Sequence, residues 1–505
     1  MRFWRAETGI LLGLWLGLMV LGRSQLFRDP GTLWHVVVGE RILSTGRFLT
    51  TDPFSLTQAG RPWIARQWLA ECAMALIHRA AQLDGLLLTA ATLLAGLYTW
   101  AAHRLIRSGM HWLLAMLLVA LALAASAFHF HPRPHLATLV LLGWSFARLC
   151  DFEAGRIPLE RLFWLVPAFL VWTNAHDGVL GGLATLALAV AGWGLAWMLG
   201  SRGPIRQGRQ LLLLAVLVLL CGLTIVVNPY GLEAPRAWLA LAGSPVLPRL
   251  IDEHGPLWAR STGPMILPMA GVTLAVLLGV PPRRYRVTWL VPLFWLGLAV
   301  TRIRHGPLFA ITALVALADA FPQSWWAVWL VRAGSDLYQP PAPDPAPQRA
   351  GLDLRPALIP AGVVLTALVL QLAGARVPVF GRGWAMLDRR YWPVDLLPEL
   401  RAYERAHSPG TPIFNEMLFG GFLIYHTPGL RVFIDDRCEL YGDEGLLAYA
   451  GALEHDPAQL NRWARNYGFE LALTETGSSF DRYLEKAPGW IVVRRVHAAA
   501  LYRKR

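Results

Sequence analysis

The sequence predicts a polytopic α-helical membrane protein of about eleven transmembrane helices, N-terminus inside and C-terminus outside, followed by a soluble α/β domain. Three observations predict it. Hydrophobic residues make up 55% of the 505-residue chain and charged ones only 16%, against about a quarter in soluble domains, and the mean hydropathy is +0.42. Apolar runs of membrane-crossing length recur through the first 375 residues. Beyond residue 376 they give way to short strand-like and helical patterns. The expected units are therefore a bundle at 1–375 and an α/β domain at 376–505.

The runs lie near 8–22, 85–102, 111–128, 135–150, 160–174, 178–200, 210–227, 263–280, 287–301, 306–331 and 356–374. The first follows Arg2 and Arg5 but precedes Arg23 with no small-residue cleavage pattern, so an uncleaved anchor is expected. With the N-terminus inside, the cytoplasmic loops carry Arg104 and Arg107, then Arg148, Arg156 and Arg161, then Arg202, Arg206 and Arg209, then Arg283, Arg284 and Arg286, then Arg332, Arg349 and Arg355. That order satisfies the positive-inside rule. The polar stretch 23–84 becomes a long first outer loop. Its apolar part at 67–80 contains Glu71, His78 and Arg79, costly in lipid, and reads as a helix on the outer surface. The proline-rich segment 333–355 reads as an extended cytoplasmic linker. The span at 356–374 then delivers the tail outside. There, helices are expected at 393–406, 443–454 and 457–467, with strands at IFNE, FLIYH, RVFIDD, ELALTE, WIVVRRV and AALYRK.

The net charge of +13 is scattered over short loops and forms no basic block, so topology accounts for it and nucleic acid is not an expected partner. The four cysteines show no paired spacing that would indicate a zinc site or a disulfide framework.

Under this topology the unusual polar residues collect on the outer face. They are Asp29, His35, Asp52 and Glu71 of the first loop, His129, His131, Arg133 and His135 of HFHPRPH, Asn174, His176 and Asp177 of NAHD, Asn228 and Tyr230 of the NPYG turn, Asp252, Glu253 and His254, and Arg302, Arg304 and His305 of RIRH. A carboxylate within hydrogen-bond reach of an acceptor hydroxyl can take its proton. Arginines can stabilise charge growing on a departing phosphate. Together these meet the needs of sugar transfer from a polyprenyl phosphate. Structural readings stand beside these. Asp29 can cap the helix that begins near residue 31, Asp52 sits in a turn-forming neighbourhood, and His35 and Glu71 lie on partly apolar helical faces. Asn174 and His176 suit interhelical hydrogen bonding as well as substrate contact. In the tail, Asn415, Asp435, Asp436 and Arg437 lie at strand ends, where they serve either packing or recognition of a glycan or protein.

An ordered series of motifs resembles the bacterial GT-C-type membrane glycosyltransferases that use polyprenyl-phosphate sugars. It runs Asp29-Pro30-Gly31, Trp34-His35, Gly39 to Gly46, Asp52 to Thr57, Trp68 to Glu71, Arg133-Pro134-His135, Asn174 to Gly178, Asn228 to Gly231 and Arg302 to Phe309, then FNEMLFGGFLIYH and RVFIDDRCELYG in the tail. The resemblance implies a GT-C-like bundle in the bacterial inner membrane with its exported domain outside. It implies a lipid-linked sugar as donor and an extracytoplasmic glycan or protein as acceptor. Asp29 would be the base, with Glu71 or Asp52 as fallback. Arg133, Arg302 and Arg304 would hold the carrier phosphate, and His35, His135, His176, Asn174 and His305 would contact substrate. Gly31 stands where a second acid is expected, which disfavours a divalent metal, and no cofactor is expected to be required. Asp177 stands where glycine is usual. The competing expectation is an inactive bundle whose outer domain binds envelope glycan or protein.

Overall fold

The computed structural model describes residues 5–259, 263–341 and 355–505, so most of the proline-rich linker lies outside the described residues. The amino-terminal part contains α1 (Ala6–Gln25), α2 (Pro30–Thr45), α3 (Trp68–Arg107), α4 (Trp112–Ala124), α5 (His135–Glu153), α6 (Leu165–Ala175), α7 (Val179–Met198) and α8 (Gly208–Leu223). It continues through α9 (Glu233–Gly243), the single turn α10 (Leu247–Leu250), α11 (Leu267–Leu278), α12 (Val291–Thr301), α13 (Gly306–Ala320), α14 (Trp325–Arg332) and α15 (Arg355–Leu372). The tail contributes α16 (Leu397–Ala406), α17 (Gly420–His426), α18 (Cys438–Glu454), α19 (Gln459–Tyr467) and α20 (Ser479–Lys486).

Helical segments cover all of the apolar runs. Among the described residues, six helices are long and apolar enough to cross a bilayer: Ala6–Gln25, Trp68–Arg107, Val179–Met198, Gly208–Val226, Ile303–Gln323 and Arg355–Leu372. At the centre stands α13, buried at every residue from 309 to 318, as expected of a helix apolar on all sides. The predicted helix at 67–80 is continuous with the next span, broken only where Ala81 and Gln82 leave helical geometry, Gln82 at φ 53°. Alongside it, α2 approaches so closely that a Cβ on Gly39 would lie 1.9 Å from the Glu71 carbonyl oxygen.

Charged side chains segregate to the two ends of the bundle. At one end, Asp151 accepts from Arg104 and Arg148 at 2.9 Å and from Arg156 at 2.8 Å, and Arg156 also pairs with Asp319 at 2.7 Å. The start of the proline-rich segment joins this end, where Gln339 N–H donates to the Gly109 carbonyl at 2.9 Å. The other end carries Asp29, Arg133, His176, Glu253 and Arg304, described below.

The tail folds around a five-stranded sheet of β1 (Thr411–Asn415), β2 (Leu430–Val432), β3 (Leu471–Glu475), β4 (Trp490–Arg495) and β5 (Ala499–Lys504), in the order β2-β1-β3-β5-β4. β1 runs parallel to β2 and β3, and β5 runs antiparallel to β3 and β4. Two strand expectations are corrected. FLIYH is α17, and RVFIDD is strand only as far as Val432. α17 is buried from Gly420 to Ile424 because it is wedged between the sheet and α2. A short run buried on all sides shows no period that separates helix from strand.

The tail is sewn to the first loop. Trp392 Nε1 donates to the Phe27 carbonyl at 2.8 Å, Arg28 pairs with Asp388 at 2.6 Å, and Met386 N–H donates to the Arg23 carbonyl at 3.1 Å. Gly421 sits where a Cβ would be 2.3 Å from the Pro30 carbonyl oxygen, with backbone on both sides of the contact. Gly421→Ala is therefore expected to destabilise the protein by about 1–3 kcal/mol, measured by thermal unfolding in detergent. Gly13→Ala, at a helical site with nothing within 4 Å, leaves the midpoint unchanged or slightly raised.

Candidate functional site

The seam between the first loop and the tail is built on one buried guanidinium. Arg437 donates through Nε and Nη2 to Asp435 at 2.9 and 2.7 Å and through Nη1 to Asp52 at 2.8 Å, with all three side chains sealed from solvent. Burial opposes its charge, but Asp435 and Asp52 outweigh that and raise its pKa. Its face lies 4.7 Å from the Trp63 ring centre and 5.2 Å from that of Phe54. Asp52 also closes its own turn, accepting from Phe54 N–H at 3.1 Å, Ser55 N–H at 2.9 Å and the Ser55 hydroxyl. The segment 54–56 thereby adds to the edge of β2, with Leu56 N–H donating to the Val432 carbonyl at 2.6 Å.

This arrangement separates the three carboxylates predicted from the sequence. Asp52 is occupied inside the seam. Glu71 is buried against His35, whose Nδ1 lies 2.8 Å from Glu71 Oε1. Burial, reinforced by Arg133, lowers the His35 pKa and keeps the ring neutral. Asp29 retains accessible surface, 15% of its side chain. One of its oxygens caps α2 by accepting from Gly31 N–H at 2.7 Å, and the other accepts from Arg133 at 2.7 Å. A Cβ on Gly31 would come within 2.9 Å of the Arg133 guanidinium carbon, so any larger residue there would require the end of the Arg133 side chain to shift.

Facing Asp29 are groups from distant elements. Trp34 Nε1, one turn along α2, holds Asp436 Oδ1 at 2.8 Å. Burial and the neighbouring Asp29 push the Asp436 carboxyl up to about 8, with Arg133 pulling the other way. Glu253 lies 3.5 Å from Arg304 and 3.4 Å from His129. Burial opposes its charge, yet Arg304, His129 and Arg133 hold its carboxyl well below the ordinary range. His176 Nδ1 accepts from Gly178 N–H at 3.0 Å and faces the Thr138 hydroxyl at 2.8 Å, which leaves the proton on Nε2. Burial, then Arg304 and Arg133, lower its pKa and keep the ring neutral. His135 Nε2 donates to the His129 carbonyl at 2.7 Å, and its Nδ1 is a buried acceptor without a partner among the described residues.

Other predicted residues serve the scaffold. Asn174 accepts from Trp68 Nε1 at 2.8 Å and donates to the carbonyls of Leu170 and Val227 at 2.9 and 3.0 Å. Arg302 donates to the Ala242 carbonyl at 2.8 Å, and His305 Nδ1 lies 3.2 Å from the Leu298 carbonyl. In the tail, Asn415 bridges the chain after β2 by donating to Ile434 O at 2.7 Å and accepting from Phe433 N–H at 2.8 Å. Asn415, Asp435 and Arg437 are sealed inside, which leaves Asp436 as the one of the four facing the seam. Asp177 pairs with Arg66 at 3.4 Å, and Arg66 pairs with Glu439 at 3.3 Å. The sequence placed Glu253 on the outer face without a role, and the nearness of Asp436 to Asp29 escaped it, because no local pattern connects positions 29, 253 and 436. Among the described residues no group of three or more metal-ligating side chains is gathered.

No protein-family profile matches the sequence, and no curated protein matches it. Two solved structures of ArnT from Cupriavidus metallidurans do match in fold. The apo structure gives a TM-score of 0.50 at 14% identity, covering 97% of this chain and 96% of that one. The structure bound to undecaprenyl phosphate gives 0.49 at 14%, covering 97% of each. The chain has an ArnT-like fold of the GT-C type. Its six helices long and apolar enough to cross a bilayer, among the described residues, accord with that fold.

Two consequences of the seam are measurable. Removing the guanidinium in Arg437→Met strands two buried carboxylates, for an expected loss of about 3–5 kcal/mol. Adding Asp52→Asn and Asp435→Asn should restore part of it, read by thermal unfolding. Asp436, with a folded value near 8 above an unfolded value of about 3.9, binds a proton in the folded protein that the unfolded chain has lost. Its stabilising contribution is full below about pH 4 and falls away as pH rises to about 8. In Asp436→Asn that part of the pH dependence of the unfolding midpoint should disappear.

Proposed function

We propose that the protein transfers a sugar from a polyprenyl-phosphate carrier to an acceptor hydroxyl outside the cytoplasm, with inversion. The observation that carries this reading is the Asp29–Arg133 pair: an accessible carboxylate at a helix N-terminus joined at 2.7 Å to an arginine from a distant loop. Glu253 and Arg304, from two separate neighbouring segments, accompany it as a second ion pair at 3.5 Å. ArnT, whose fold the chain shares, binds undecaprenyl phosphate, and a carrier of that class suits the cationic side of the seam.

In this mechanism Asp29 takes the proton of the acceptor hydroxyl as its oxygen attacks the anomeric carbon. The bond from that carbon to the phosphate oxygen breaks, and the phosphate leaves with the electron pair. Attack opposite the leaving group inverts the centre. Arg133 exchanges its partner from Asp29 to the phosphate, which frees the carboxylate for the acceptor and neutralises the departing charge. Arg304 supplies a second cation. The neutral His176, with its proton on Nε2, donates to a sugar hydroxyl. Asp436, held by Trp34 beside Asp29, supplies from the tail the second acid that Gly31 omits.

A second reading is a non-catalytic bundle whose tail binds envelope glycan or protein. It is favoured by the full engagement of both Asp29 oxygens, one as helix cap and one in the ion pair. Assay of purified protein with a labelled polyprenyl-phosphate sugar separates the two. Asp29→Asn should lower transfer about 10²–10⁴-fold with lipid binding retained, and Arg133→Met should weaken lipid binding as well. Unchanged transfer by Asp29→Asn would remove Asp29 as the base, and lipid binding with no turnover by the parent protein would favour the second reading.

A further inference from the structure

Away from the seam, the C-terminal ends of α1 and α15 border a cavity of about 740 Å³ lined by Arg23, Arg376, Val377, Pro378, Arg382 and Trp384. Both helices are long and apolar enough to cross a bilayer, so their adjoining ends put the cavity at a membrane–water boundary. Three guanidinium groups gather there. The nearby carboxylate, Asp84, has its two oxygens engaged by the backbone N–H groups of Gly383 and Ala385, each at 2.7 Å. Arg23 is fixed in place. Its Nε donates to the Trp384 carbonyl at 2.7 Å, and its guanidinium lies 4.2 Å from the centre of the Trp384 ring. Arg376 and Arg382 are exposed and make no ion pair or side-chain hydrogen bond among the described residues.

The loop that presents them is tightly coiled. Arg382 N–H donates to the Ala375 carbonyl and Gly381 N–H to the Val377 carbonyl, both at 2.7 Å. A Cβ on Gly381 would lie 2.1 Å from the Ala375 carbonyl oxygen. Phe380 packs its ring 5.6 Å from that of Trp15 in the middle of α1, which seats the loop against the apolar helix. Val379 adopts φ 69°. A β-branched residue rarely takes that conformation, which persists where the surroundings impose it and concentrates at ligand sites.

We propose that this cavity is a binding site for the phosphate of a membrane lipid, separate from the seam. Planar guanidinium groups meet phosphate oxygens with paired hydrogen bonds. The exposed Val377 and the apolar faces of α1 and α15 border the place where acyl or prenyl chains would lie. The ligand is either the diester of an anionic glycerophospholipid or the monoester of a polyprenyl carrier. The proposal rests on α1 and α15 as membrane helices, and not on sugar transfer.

Native mass spectrometry of the full-length protein with added phosphatidylglycerol, undecaprenyl phosphate or phosphatidylcholine tests it. Arg376→Ala with Arg382→Ala should weaken binding of the anionic lipid by at least about tenfold. Arg389→Ala with Arg390→Ala removes the same charge from exposed positions outside the cavity and should bind as the parent does. A preference for phosphatidylglycerol assigns the site to a bilayer lipid, and a preference for undecaprenyl phosphate assigns it to the carrier. Equal binding by the first variant and the parent, an equal loss in both variants, or displacement of the lipid by an equal concentration of inorganic phosphate would overturn the proposal.

Discussion

The burial of Arg437 between Asp52 and Asp435 is the constraint on which the rest of the seam depends. A guanidinium taken out of water is tolerable only with its hydrogen bonds met, so the two carboxylates and the three aromatic rings around it must hold their places together. Asp52 belongs to the first loop and Asp435 to the tail. Satisfying one cation therefore fixes two segments separated by 383 positions (435 less 52). The edge pairing of residues 54–56 with β2 follows from that fixation, as does the direction of the next side chain, Asp436, which turns toward the N-terminus of α2.

A second group of charges, around Arg133 and Arg304, governs the electrostatics beside it. Burial, helped by Arg133, keeps His35 neutral; burial, then Arg304 and Arg133, does the same for His176, and Arg304, His129 and Arg133 hold Glu253 ionised against its burial. Asp436, half-buried beside Asp29, responds in the opposite direction and retains a proton. Neighbouring carboxylates in unlike protonation states arise where burial and like charge act on one more than the other. Gly31 matters here for its size. With no Cβ, it leaves room for the Arg133 guanidinium at the helix N-terminus, which a side chain there would oblige to shift.

Much of this was legible in advance. The apolar runs, the tail's change of pattern, the helices α16, α18 and α19 and the strands β1, β3, β4 and β5 all follow from local periodicity and composition. The gathering of Asp29, Arg133, His176 and Arg304 at one end of the bundle was legible through topology, since alternate loops must share a side. FLIYH was not legible, because a five-residue run buried on every face has no period. Asp52 and Asp435 carry the same carboxylate as Asp29, and nothing in their neighbours reveals that an arginine would seal them away. Asp177 and Arg66 look unrelated until α6 and the first loop are folded together.

By itself, then, the sequence determined that the chain builds a bundle of apolar helices with polar residues sorted to its ends and a mixed α/β tail. Hydrophobic length and local periodicity are properties of contiguous residues, so they survive in one dimension. Only the tertiary structure decided which carboxylates are sealed, which one stays accessible, and that Asp436 of the tail stands beside Asp29. The physical reason is that burial and Coulomb interaction depend on distance in space, and here the deciding contacts join residues hundreds of positions apart.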